Sequence, residues 1–410
     1  MVFGTRSVAR KNNDARVDVS AEPRAQDDGA VRGDPRASEL APSGADTRGL
    51  VRVVVHPAAP ETGSVSLRLM TAADGAAYGK LLAGNPDSGK VRSSVHFEID
   101  PYAAMAFVHP DSASVVAEAP GQDGLIGSAS IRFDHRQWGG AVLPTAMFHS
   151  LSVRPDFRRR GVAARMVAWR DARVRERFGD ECVAYSVIQK NNVGSERTIR
   201  TWSRQYLPDR IVTVPIPLRS SPPARVAGID VRAAAPPELE EAADGQNRFY
   251  RSYALYPRET GPDIEAWCAN TPFDAPYRHY VIAADPAGNV LAGLGVIEAY
   301  RLRRVVITQV PRLLALANKI LHVVPADGVM RELRLNRIWF APGQRRAARH
   351  LLETVRWRWR DRGTSIAFVA DRGSPLLELC GLRRWSIRSI AGIALRSPTM
   401  LADDQLCYFT

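Results

Sequence analysis

The sequence predicts an α/β chain, α+β in character with a mixed sheet, built as two tandem copies of one unit of which the second is degenerate. Three observations carry this reading. Strand-like alternation over residues 145–153 runs into a basic turn and then an amphipathic helix. A similar succession returns, in the same order, in the C-terminal half. The 410-residue length suits two domains at roughly 100–200 residues each.

Residues 1–50 are rich in Ala, Arg, Asp, Gly, Ser and Pro and show neither a period of two nor one of 3.6, so a disordered tail is expected there. Residues 51–55 form a short apolar run, and residues 65–69 alternate like a half-buried strand. Residues 104–108, 115–119 and 124–133 are further strand candidates, the last with Gly124 at its start. A helix is predicted over 161–177: Val162, Met166 and Trp169 share one face, while Arg165, Arg170, Arg173 and Glu176 form a wet face, and Gly179 stops it. Residues 182–188 and 210–218 read as strands, the second carrying Pro215 and Pro217, and residues 219–223 read as a linker. Domains are therefore expected at 51–221 and 222–410.

The second copy echoes the first at six places. Residues 229–232 resemble 65–68, residues 290–297 resemble 125–131, and residues 339–346 resemble 152–160. A helix follows, with Ala348, Leu352, Val355 and Trp359 at helical spacing; residues 365–370 then resemble 183–188, and 393–397 resemble 216–220. The apolar, helix-compatible segment 311–322 has no counterpart in the first copy and reads as an insertion at the domain interface.

Composition narrows the function classes. No apolar run is long enough to span a membrane, and the N-terminus lacks the apolar core of a secretory signal. Cys182, Cys268, Cys380 and Cys407 lie far apart and make no metal-ligand spacing, so free thiols in a reducing cytoplasm are expected and no metal is. The net charge of +13 comes almost wholly from scattered arginines. Nucleic acid is not expected as a partner, because no aromatic-plus-basic signature accompanies them; a phosphate-bearing small ligand fits the same charge.

The chemistry concentrates at residues 151–166. The first turn of a helix exposes unpaired N–H groups and a partial positive charge. Gly161 has no side chain and Ala163 only a methyl, so main-chain amides there can approach a diphosphate, with Arg158, Arg159 and Arg160 beside it. Val153, Pro155, Arg158, Gly161 and Ala163 complete a pattern that resembles the acyl-CoA-binding motif of the GNAT N-acetyltransferases. The resemblance implies acetyl-CoA, or another acyl-CoA, as cosubstrate. It implies that the backbone of Leu151 and Val153 pairs with the pantetheine arm, and that the amides from Arg159 through Val162 to Ala163 hold the diphosphate. Asn192 and Ser195 match the family's Asn-x-x-(Ala/Ser) motif and would face the pantetheine or the sulfur; a helix cap is the equal alternative. The tyrosine that the family often places seven residues later is Ile199 here, which leaves Tyr206 and Tyr185 as substitutes for the general acid.

A base must free the attacking amine of a proton. The family's glutamate position is Met147 here, and alternation would put Met147, His149, Leu151 and Val153 on one side of a strand. His149 is therefore the first candidate base, with a satisfied core histidine as the alternative, and Glu98 is the second candidate. In the second copy no glycine stands in the place of Gly161, so the cofactor site is expected to be lost there while residues 371–374 and 381–382 keep the look of the second motif. Residues 301–306 and the loop 86–90 are similar to Hookless-type N-acetyltransferases of plants and their bacterial relatives. The resemblance implies acetyl transfer to an amine of a small metabolite or a protein lysine. A vestigial binding or regulatory module and an aminoacyl-tRNA-dependent transferase are the competing readings.

Overall fold

In the computed structural model, residues 65–85, 92–309, 318, 325–381 and 388–409 are described. The tail at 1–50, the run 51–55, the loop 86–90, Leu382 and, apart from Asn318, the segment 311–322 lie outside them. The described residues all belong to one compact unit, Leu50–Thr410.

The N-terminal repeat runs β1 (Ser66–Leu69), α1 (Gly75–Ala83), β2 (Arg92–Phe97), α2 (Pro101–Val108), β3 (Ser112–Glu118), β4 (Gly127–Trp138), β5 (Ala141–Val153), α3 (Val162–Phe178), β6 (Val183–Gln189), α4 (Val193–Ile199) and β7 (Gln205–Pro217). The C-terminal repeat runs β8 (Asp230–Ala233), α5 (Glu238–Phe249), α6 (Gly261–Ala269), β9 (Arg278–Ala284), β10 (Val290–Ile297), β11 (Arg303–Gln309), β12 (Val329–Met330), β13 (Glu332–Phe340), α7 (Arg345–Arg358), β14 (Ser365–Asp371), α8 (Leu376–Leu379) and β15 (Ser389–Arg396).

Among the described residues, one twelve-stranded sheet has the order β1-β3-β4-β5-β6-β15-β7-β14-β13-β10-β9-β8, and β12-β11-β2 form a second, three-stranded sheet. The large sheet is a palindrome about the β15/β7 pair: β6 answers β14, β5 answers β13, β4 answers β10 and β1 answers β8. All six sequence echoes fall on elements related this way. In each repeat a crossover helix, α3 or α7, links a parallel pair, β5–β6 or β13–β14. The closing strands are exchanged: β15 lies antiparallel to β6 and β7, both of the first repeat, and β7 lies antiparallel to β14 and β15, both of the second.

Two local readings change. Residues 104–108 are not a strand but the end of α2, because Asp100 caps the helix, accepting from the Ala103 amide at 2.9 Å, and Pro101 opens it. The apolar run offers no alternation to oppose that start. Arg170 is not on the wet face of α3 but buried, 3% exposed, beside Met166, Val167 and Val174. Those three apolar side chains, with Val162, seat α3 on the sheet, each burial contributing about 1.5–3 kcal/mol. Gly179 ends α3 as expected, at φ +68°, its amide donating to the Arg175 carbonyl at 2.8 Å.

Candidate active site

The head of α3 is built by the end of β5. The Arg154 amide donates to the Ile126 carbonyl at 2.9 Å, and residues Pro155–Phe157 make one tight helical turn. Arg158 folds back, its Nε donating to the Val153 carbonyl at 3.0 Å and its guanidinium to Asn85 Oδ1 at 3.2 Å; Asn85 in turn donates to Ser152 Oγ at 3.1 Å. Arg159 at φ +62° and Gly161 at φ +76° turn the chain so that Gly161 becomes the N-cap of α3. A Cβ on Gly161 would meet nothing within 4 Å, so the space in front of the amides is open. Arg159, Arg160 and Gly161 are exposed, Val162 is buried as the anchor, and Ala163 is half-buried. An exposed, glycine-headed helix flanked by arginines suits an anionic group.

The strand leading there is split from its neighbour. β5 pairs with β6 only from Thr145 to Met147, opposite Val183 to Tyr185. Ser150, at φ +53°, sits in a bulge against β4, where the pairing passes from His149–Ser130 to Ser152–Ser128. The bulge breaks the alternation expected of this strand. Met147 packs on one face of the sheet, whereas Leu151 and Val153 pack on the α3 face with Met166 and Val162. The four residues therefore do not share a side. Beyond Met147 the strands part around a cavity of about 220 Å³, lined by Phe148, His149, Ser150, Leu151, Arg170, Ser186, Ser195 and Trp202 among others. Ser186 Oγ donates to the Phe148 carbonyl at 2.9 Å, a tie across the opening. A narrow extended chain can lie along the parted edge of β5 as an added strand would.

Titratable groups at this cavity are held neutral or left without a counter-charge. Burial, then the charges of His109, Arg132, Arg170 and Arg303, hold His149 well below the ordinary imidazole range. Its Nδ1 lies 3.0 Å from Ser150 Oγ, and its Nε2 is buried with no hydrogen-bond partner among the described residues. Its ring packs 4.8 Å from that of His109, which burial and Arg132 pull down to about 3. Arg170 makes no ion pair among the described residues; its guanidinium lies over the Phe148 ring at 4.8 Å, and burial pulls it down to about 9. The sequence reading missed Arg170 because helical spacing alone placed it with the solvated arginines.

The other expected residues are dispersed. Asn192 is the N-cap of α4, accepting from the Ser195 amide at 3.1 Å, while Ser195 itself lines the cavity. Tyr206 pairs with Ala394 at the centre of the sheet, its ring against Gly392, and is not among the lining residues; burial raises it. Tyr185 lies in the core across the sheet, pushed up to about 12 by burial. Glu98 is gripped by Arg304 through both carboxylate oxygens beside the three-stranded sheet.

The C-terminal repeat has the same parting but has filled it. β13 pairs with β14 only as far as Leu335, and Arg337, at φ +51°, repeats the bulge. Here Tyr250 Oη donates to the Ile338 carbonyl at 2.5 Å, and Arg337 pairs with Glu259. Tyr256 stacks on Tyr250, and Tyr408 meets it edge to face. The connection to α7 is only residues 341–344, against 154–161 in the first repeat. Gly343 does adopt φ +78°, but it precedes the N-cap Gln344 rather than being it.

Residues 86–201 match the model of the acetyltransferase (GNAT) family. The N-myristoyltransferase of Saccharomyces cerevisiae, solved with bound myristoyl-CoA, superposes with a TM-score of 0.58 at 11% identity, over 84% of this chain and 85% of that one. A GCN5-related N-acetyltransferase from Sphaerobacter thermophilus superposes with a TM-score of 0.52 at 15% identity, over 82% of this chain and 97% of that one. No curated protein matches the sequence. The described body thus has the acyl-CoA N-acyltransferase fold in two tandem copies. The residues that match the GNAT family model, 86–201, lie in its first repeat.

Proposed function

We propose that the protein transfers an acyl group, acetyl in the first instance, from acyl-coenzyme A to an amine by direct attack within the first repeat. The observation that carries the reading is the combination of an open, glycine-headed helix α3 with the parted edges of β5 and β6 directly before it. The amides from Arg159 to Ala163 receive the diphosphate, with Arg158 braced to shape the turn. The edge of β5 at Leu151 and Val153 receives the pantetheine, and Ser195 faces the sulfur end. His149 is the proton acceptor: of the four proposed proton-transfer residues, His149, Glu98, Tyr206 and Tyr185, it is the one lining the cavity, and its imidazole is uncharged at neutral pH with one ring nitrogen able to accept. The amine nitrogen bonds to the thioester carbon as the carbon–sulfur bond breaks; the nitrogen's proton goes to His149, and the thiolate leaves with the coenzyme. Residues 51–221 and 222–410 are the two repeats, the second supplying structure and acceptor walls.

Calorimetric titration of the full chain with acetyl-CoA and with free CoA tests the first half of the reading, and thiol release with an amine panel tests the second. Heat for both ligands and amine-dependent thiol are expected. No heat for either ligand overturns the proposal; heat without thiol release for any amine leaves a binding module instead.

A further inference from the structure

A second cavity, of about 320 Å³, lies on the face of the sheet that carries Arg132, opposite α3, and is walled by both repeats. It meets the thioester side through the imidazole pair: His109 lines this cavity, His149 lines the other, and their rings are 4.8 Å apart. Four arginines, Arg132, Arg278, Arg303 and Arg334, line it against one carboxylate, Glu332. Arg132 is paired with Asp134 at 3.0 Å and Arg334 with Glu332 at 2.6 Å.

Arg278 and Arg303 have no such partner. Among the described residues neither makes an ion pair, and Arg278 Nε is buried without any hydrogen-bond acceptor. Arg278 is held in place by rings, its guanidinium 4.7 Å from the centre of Phe107 and 5.5 Å from that of Trp267, and by its Nη1, which donates to the Trp267 carbonyl at 3.4 Å. Arg303 stands against the charge of Arg334, which together with burial pulls it down to about 10. Arg278 and Arg303 are half-buried, and a cation held there without a counter-charge is costly unless a ligand supplies one. Stacking on aromatic rings fixes direction while leaving the other guanidinium donors, Nε among them, to meet an oxyanion.

We propose that the acceptor is an amine that also carries an oxyanion, and that Arg278 and Arg303 hold that oxyanion while the amine faces the His109–His149 pair. The inference rests on the acyl-transfer reading only in treating this cavity as the acceptor's. It disfavours polycationic amines, because two arginines without a counter-charge would face them.

The test measures binding to the full chain without coenzyme, so its failure is separable from that of acyl transfer. Alanine is compared with ethylamine, and O-phosphoethanolamine with ethanolamine, by ligand-observed NMR titration across the millimolar range. In at least one pair the anionic member is expected to bind about tenfold or more tightly, as a charge-assisted bidentate contact gives. Which pair shows it distinguishes carboxylate from phosphate. Arg303→Met and Arg278→Gln each abolish the preference, Arg304→Met, whose residue pairs with Glu98 outside the cavity, keeps it, and the first two variants melt no lower than the parent. Equal binding within both pairs, no binding of either anionic probe, a preference that survives Arg303→Met, or failure of both cavity variants to fold overturns the proposal.

Discussion

Lowering the pH from 7 to 5 should destabilise this protein through the imidazoles between its two cavities. His109 is ordinary at 6.5 when unfolded and is pulled down to about 3 in the folded chain by burial first and then by Arg132 and Arg303. The folded value is depressed for a base, so between those limits the unfolded chain binds the extra proton. Stability is complete above 6.5 and falls as the pH drops below it. At pH 5 the loss from His109 is RT ln(1 + 10^1.5), about 2 kcal/mol. His149 acts in the same direction, since it too is held well below 6.5. Urea unfolding of the parent and of His109→Gln at pH 7, 6 and 5 isolates the contribution, because other titrating groups cancel in the difference. The variant should lose about 2 kcal/mol less than the parent between pH 7 and 5. Parallel pH profiles for the two proteins would refute the assignment of an uncharged imidazole at His109.

Other perturbations separate fold from ligand. Gly161→Ala meets no atom within 4 Å but keeps φ +76°, so it should cost about 1–2 kcal/mol in unfolding experiments; Gly161→Glu should cost a similar amount yet lose coenzyme A affinity by tenfold or more in calorimetry. Arg170→Met removes an unpaired buried cation while keeping the packing over Phe148, so its melting midpoint should equal or exceed the parent's, whereas Arg170→Ala should fall below it. Tyr250→Phe leaves the Ile338 carbonyl without its hydroxyl donor and should cost about 1–3 kcal/mol of stability with coenzyme A affinity unchanged, because the filled parting belongs to the second repeat.

The sequence made the repeat legible because strand alternation and the amphipathic spacing of α3 and α7 are local signals. The helix head was legible because Gly161 and the arginines around it are contiguous in the chain. What escaped depends on partners distant in sequence. The bulge at Ser150 shows no glycine or proline, and it moved Leu151 and Val153 to the other face from Met147. Arg170 sits at an ordinary helical spacing, and only the cavity above Phe148 distinguishes it from Arg165 and Arg173. The second cavity joins Arg132 to Arg278 and Arg303 across the repeat boundary, so no window along the chain contains it. Likewise the tyrosines that fill the second parting, Tyr250, Tyr256 and Tyr408, come from both ends of the C-terminal repeat.

The exchange of closing strands explains why a repeat that has filled its own parting still matters to the first. For β5 and β6 to stand apart beyond Met147, β6 must give up one edge of its ladder at Ser186 and after. A strand segment with neither edge paired has no ladder to fix it. Here its other edge is laddered continuously by β15, from Ala184–Arg396 to Gln189–Ala391, so β6 stays in place without β5. β15 is in turn held by β7, and β7 finds its partners, among the described residues, only in β15 and β14 of the second repeat. Removing the C-terminal repeat would therefore leave β7 with no ladder at all and β6 with only its short pairing to β5. The open cavity beside Phe148 would then have no rigid far wall. The second repeat closes the sheet of the first.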